Sequence, residues 1–142
     1  MSGALAQVGD ARPLARLVRI ITKPRADGAT LALASYRQAE AEKAMDDLRA
    51  GVRSCRTFSV DPTFRYERIT ALPDPGTGDE SVSFSFDQVL VGPKEIRVPM
   101  TYVVVRSGTT VVNVSAMNIA GNGRPATVPP TLVDAQLRKL VG

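Results

Sequence analysis

Seven consecutive residues near the middle of the chain, Ser81-Val82-Ser83-Phe84-Ser85-Phe86-Asp87, alternate small polar with apolar side chains. A period of two fits a half-buried strand and no helix. Two more runs follow, Ile96 to Arg106 and Thr109 to Met117, set off by Gly92-Pro93-Lys94-Glu95 and by Ser107-Gly108. The stretch therefore reads as three antiparallel strands joined by two tight turns. Closing the second hairpin on Ser107-Gly108 sets Val105 opposite Thr110, Val103 opposite Val112 and Thr101 opposite Val114. Closing the first on Pro93-Lys94 sets Phe84 opposite Val103 and Phe86 opposite Thr101. One face then collects Val82, Phe84, Phe86, Val103, Val105, Val112, Val114 and Ala116 and is expected to be buried. The other collects Ser83, Ser85, Asp87, Met100, Tyr102, Val104, Asn113 and Ser115. A slip of one residue would exchange the two sets.

The flanking sequence supplies partners for the buried face. Leu14 to Thr22 and Thr30 to Tyr36 read as a strand pair around the turn-rich Lys23 to Gly28. From about Gln38 to Arg56, Ala41, Ala44, Met45, Leu48, Val52 and Cys55 recur at helical spacing and form one apolar stripe. Acids fill its first half and Arg49, Arg53 and Arg56 its end, the order that suits a helix dipole. Ser35 with Gln38 offers a capping box, or the start falls one turn later. Phe58 to Val60 and Phe64 to Ile69 read as short strands, and Pro129-Pro130 opens a closing helix through Val141 whose apolar side is Val133, Leu137, Leu140 and Val141. The expected fold is a single α+β domain: a twisted antiparallel sheet of five to six strands, with the long helix and the C-terminal helix packed on one face. Residues 1–12 are read as a loosely held arm and 13–142 as the domain.

What is missing narrows the function. The 142 residues contain no histidine and a single cysteine, which removes Ser-His-Asp and Cys-His catalysis, histidine bases and most catalytic zinc sites. Cys55 has no second cysteine for an internal disulfide. Adjacent Asp79-Glu80 on a loop is a poor acid pair, so no catalytic residue, metal or cofactor is expected. The net charge of +4 comes from scattered arginines with few aromatics among them, which does not suit a nucleic-acid surface. No run approaches the roughly 18 apolar residues of a membrane span, and Met1 to Gly9 lacks the pattern of a secretory signal.

Three segments carry a family resemblance: Ala39 to Ala50 running on to Cys55, Gly78-Asp79-Glu80-Ser81-Val82 leading into the alternating strand, and Val103-Val104-Val105-Arg106-Ser107-Gly108 with a strand behind it. Together they resemble the PknH-like extracellular domain, found as the external sensor portion of mycobacterial serine/threonine kinases and as free-standing actinobacterial lipoproteins. The resemblance spans roughly Leu14 to Leu140. It implies an extracytoplasmic, membrane-anchored or cell-surface domain with helices against a twisted sheet, a cleft and a ligand-sensing role without catalysis; residues alone leave a cytoplasmic location open. Disulfides are common in the family, and Cys55 matches the position of a cysteine near the end of the long helix. Its partner is absent here, so either it lay upstream in a removed segment or Cys55 is a small core residue.

Two functions follow from this reading. In the first, the mixed face lines a ligand cleft, with Ser83, Ser85, Asp87, Tyr102, Asn113 and Ser115 as donors and acceptors beside Met100 and Val104. In the second, the mixed face or a sheet edge docks a partner protein. The chain is expected to be a monomer, tethered to the membrane through a segment it does not itself contain.

Overall fold

The computed structural model describes residues 12–22, 27–59, 61–120 and 122–142. The elements run β1 (Ala15–Thr22), β2 (Asp27–Ser35), α1 (Gln38–Ser54), β3 (Thr57–Ser59), β4 (Phe64–Leu72), β5 (Glu80–Leu90), β6 (Ile96–Ser107), β7 (Thr110–Asn118) and α2 (Pro130–Val141). All seven strands join one antiparallel sheet in the order β1-β2-β7-β6-β5-β4-β3. After β2 the chain crosses one face of the sheet as α1 and drops to the far edge at β3. It then returns strand by strand until β7 pairs with β2. The α+β class is as the sequence indicates, with seven strands in place of five to six. The N-terminal arm and most of the bend between β1 and β2 lie outside the described residues.

Loop length decides which side chains share a face. β6 and β7 turn through Gly108 and Thr109, with Ser107 opposite Thr110 and Gly108 at φ 59°. The register therefore differs by two residues from closure on Ser107-Gly108, which preserves the faces: Val105 lies opposite Val112 and Val103 opposite Val114. The β5–β6 connection differs by one. Leu90 pairs with Ile96, so five residues form the loop, and Phe84 faces Tyr102 while Phe86 faces Met100. The reason is Pro93: a favoured two-residue hairpin turn needs positive φ at its first position, and proline fixes φ near −65°. An odd loop flips the parity of β5 against β6. The phenylalanines accordingly share a face with Tyr102, Val104 and Asn113, while Ser83, Ser85 and Asp87 share the other with Val103, Val105, Val112 and Val114. Both faces expected from the sequence are thus half exchanged.

Each face has its own core. On the phenylalanine face, Ala41, Ala44, Met45, Leu48 and Val52 of α1 pack on Ile69, Val82, Phe84, Phe86 and Val104. Aromatic rings line this contact across four strands. Phe58 stacks on Tyr66 with centroids 4.6 Å apart, Tyr66 meets Phe86 edge-on at 5.7 Å, and Phe84 and Phe86 lie 5.4 and 5.3 Å from Tyr102. Arg49 of α1 reaches Glu80 at 3.0 Å, and Arg106 holds the same carboxylate at 2.6 Å, which pins the helix across β5 and β6. The helix starts at Gln38, with the Arg37 N–H donating to Glu40 at 3.4 Å, and Ser35 closes β2. Cys55, half-buried at the helix end, packs against this core.

The valine face is covered by α2 and the segment before it. Ala126, Val128 and Val133 pack on Leu31, Val105, Val112, Val114 and Ala116, and the Thr101 hydroxyl donates to the Ala126 carbonyl at 2.7 Å. The two helices therefore lie on opposite faces, because the parity change gives each face an apolar patch to cover. Leu137 also turns toward this core, whereas Leu140 and Val141 are exposed.

Gly78 fixes the entry into β5. Its φ is 69°, and a Cβ there would strike the Val105 side chain and come within 2.6 Å of the Arg106 carbonyl. Gly76 has a similar φ of 65° but open space around it. Gly78→Ala is expected to lower unfolding free energy by about 2–4 kcal/mol, and Gly76→Ala by only about 1 kcal/mol. Urea midpoints of the two variants measure the difference.

Candidate functional site

The odd β5–β6 loop disperses the residues that the sequence groups together. Ser83, Ser85 and Asp87 project to the valine face; Met100, Tyr102, Asn113 and Ser115 project to the aromatic face.

On the valine face, Asp87 is already engaged. Its buried carboxylate accepts from Arg68, with Arg97 3.6 Å away, and the ladder continues through Arg97–Glu67 at 2.6 Å and Arg65–Glu95 at 2.9 Å. Arg68 reaches it from a β-bulge between Glu67 and Thr70, where its φ is 56°. Ser83 donates to the Tyr102 carbonyl at 3.3 Å. Ser85 and Asp87 border a shallow cavity of 230 Å³ beneath Gly123 and Pro125. Hydrogen bonds and ion pairs within the fold thus engage Asp87 and Ser83.

The aromatic face differs. α1 covers its β4–β6 half, and beside the helix lies a recess of 200 Å³. Its floor is β6 and β7: Met100 opposite Met117, Tyr102 opposite Ser115, and Asn113 between Val104 and Ala32. Thr30 and Ala32 of β2 and Arg16 and Val18 of β1 form its outer wall. Met100, Tyr102, Asn113 and Ser115 of the sequence candidates therefore meet here, joined by Arg16, Val18, Thr30, Ala32 and Met117.

Two polar atoms on this side stand out. The Asn113 Oδ1 and the Tyr36 hydroxyl are buried without a hydrogen-bond partner among the described residues. A buried polar atom left unpaired costs about 1–3 kcal/mol, and native structures keep few of them. Tyr36 is held above the ordinary tyrosine pKa by burial, opposed by the positive charge of Arg16. Tyr102 is raised for the same reason, with the Ser115 hydroxyl acting the other way. Both phenols are therefore neutral at physiological pH and able to donate. None of the ion pairs among the described residues uses Arg16, which borders the recess from β1. No carboxylate, histidine or thiol lines the recess. It offers one cation, an amide, three hydroxyls and apolar walls.

Arg16 and the β2 residues are absent from the sequence candidates because β2 meets β7 across about eighty intervening residues. No local pattern encodes that register. Asn113 is legible, since an asparagine inside a run of valines opposes strand propensity.

No family model matches this sequence, and none of the curated proteins matches it. Among solved structures, the extracellular domain of PknH from Mycobacterium tuberculosis is similar over 99% of this chain and 69% of its own, with a TM-score of 0.57 and 12% sequence identity. The chain shares that fold. The PknH-like architecture inferred from the sequence is thus present, with the side chains of the recess belonging to this chain.

Two outcomes follow from the site's chemistry. Asn113→Leu removes the orphaned oxygen and is expected to raise unfolding free energy by about 1 kcal/mol, read from urea denaturation. The second concerns pH. Hydrogen bonds from arginines hold Glu67 low; for Glu80, burial pushes upward and the Arg106 and Arg49 bonds overcome it; Ser81 and the Gly76 N–H hold Asp74 low. Such carboxylates stabilise the fold above their unfolded values, and that contribution is lost as pH falls through the depressed folded values. Tyr36, Tyr66 and Tyr102 are raised by burial, and their contribution is lost as pH climbs beyond about 10. With no histidine, the urea midpoint is expected to stay flat between about pH 6 and 9 and to fall on either side.

Proposed function

We propose that this chain is an extracytoplasmic, non-catalytic binding domain of the sensor type, acting as a monomer, with its ligand held in the recess beside α1. The observation that carries this reading is the recess itself, where Arg16, Thr30, Tyr102, Asn113 and Ser115 meet the apolar Val18, Ala32, Met100 and Met117. The lining supports binding over turnover, since it lacks a group that titrates near neutral pH. The likeness to an extracellular domain supports the compartment. Display at the cell surface, as a lipoprotein or receptor fragment, accords with the family resemblance. Among the described residues no helix is long and apolar enough to cross a membrane, so tethering in this reading belongs to a segment outside them.

A second reading, docking of a partner protein, is favoured by β1. This edge strand exposes Leu17, Val18 and, at 75%, Ile20, with Leu14 exposed just before it, and an exposed apolar edge is a ready template for another strand.

Methionine methyl NMR separates the two. Met100 and Met117 line the recess, and Met45 is sealed beneath α1. A small-fragment library is expected to yield compounds that shift Met100 and Met117 saturably, leave Met45 in place and lose binding in Asn113→Leu. Fragments that bind wild type and variant alike, or that leave both methyls unmoved, would sink the recess as a site.

A further inference from the structure

The make-up of β1 narrows what a docked partner looks like. We infer, on the reading of β1 as a docking edge, that its occupant is an extended segment of another protein, apolar with two acidic side chains three residues apart, added to the seven-stranded sheet as one more strand.

The two edges of the sheet are built differently. β3 is three residues long and is followed by Asp61-Pro62, a short edge with a proline beside it, which discourages further pairing. β1 pairs with β2 over eight consecutive residues, without a bulge and without a proline. Its outer rim therefore offers an unbroken row of backbone donors and acceptors. Both faces of that rim are open. α1 covers the β4–β6 half of one face, and α2 with the segment before it packs on Leu31 and on β6 and β7 of the other. Every residue from Ala15 to Ile20 is exposed as a result. A strand laid along β1 finds side chains to meet on each face: Arg16, Val18 and Ile20 on the aromatic side, Leu17, Arg19 and Ile21 on the valine side.

Charge fixes the chemistry of that strand. β1 carries two arginines and no acid, and the strands behind it, β2 and β7, add only Asp27, at the end remote from Arg16. Across the sheet the arrangement is the reverse: Arg65 and Arg97 pair with Glu67, Arg68 with Asp87 and Arg106 with Glu80. The β1 margin is thus the one whose own strands leave its cations unbalanced, and a field of one sign selects a partner of the other. A second copy of this chain fits poorly, because β1 paired with β1 would gather four arginines and no acid along one seam, and like charges across strands destabilise. An acidic segment fits. Carboxylates opposite Arg16 and Arg19 make one cross-strand pair on each face, and β-branched residues between them cover Leu17, Val18 and Ile20. The three-residue spacing of the arginines carries over to the partner whether it runs parallel or antiparallel.

Two heptapeptides with blocked ends test this: Thr-Val-Glu-Val-Val-Glu-Thr and its counterpart Thr-Val-Lys-Val-Val-Lys-Thr. Each is titrated into the full chain at low salt while the backbone amides of β1 and the methyls of Met45, Met100 and Met117 are followed by NMR. The glutamate peptide is expected to shift the amides from Arg16 to Ile20 saturably. It should bind about ten-fold more tightly than the lysine peptide, since two cross-strand pairs turn from attraction to repulsion, and raised salt should shrink the preference. Arg16→Glu combined with Arg19→Glu should exchange the preference, with Met45 unshifted to show that the fold is intact. Equal or tighter binding of the lysine peptide to the wild type overturns the acidic assignment and leaves β1 as a docking edge. A glutamate preference that survives the double substitution overturns the pairing with these arginines. Amides of β1 that shift with protein concentration alone make a second copy the occupant and overturn the peptide. Peptide shifts confined to Met100 and Met117 move the binding to the recess, and silence from both peptides removes the docking edge together with its partner class.

Discussion

The contact of Phe84 with Tyr102 organises this molecule. It exists because five residues, and not two, separate β5 from β6, so that the bulky side chains of both strands point the same way. Rings from β3 to β6 then form a continuous platform, and α1 has a surface wide enough for Ala44, Met45 and Leu48 to bury completely. The valines left on the other side need a cover of their own, which the segment around Ala126 and Val128 and the first turns of α2 supply. A single connection thus sets both cores and the placement of both helices.

The same parity separates polar groups by fate. Asp87, turned away from the rings, meets Arg68 and Arg97 and becomes part of a ladder that ties β4, β5 and β6. Asn113, turned toward them, falls just past the reach of α1, where neither the helix nor the neighbouring strands present a partner. One polar residue is absorbed by the ion pairs of the fold and the other is not, although in the sequence they look alike.

Much of the architecture is readable from local chemistry. The alternation of Ser81 to Asp87, the three- and four-residue spacing from Ala41 to Val52, and the prolines at the head of α2 each specify an element through its own period or cap. Faces were harder, since they depend on a loop whose length is not marked by period. Pro93 carries the decisive information: its fixed φ rules out the shortest closure. The β1 and β2 wall was out of reach for another reason. Arg16 and Ala32 enter the recess through a pairing between distant segments, and only the finished sheet brings them beside Asn113 and Tyr102.

That distant pairing makes the β1–β2 hairpin a peculiar part of the molecule. It contributes Arg16, Val18, Thr30 and Ala32, yet within the sheet it is fastened along β7 alone. Loop-closure entropy places such a contact late in assembly, and partial opening of the native state releases such units first. A molecule lodged between this hairpin and β6–β7 would act as a rivet across that seam. Occupancy would then be reported as a change in how often one margin of the sheet lifts, with no need for any shift in its mean shape.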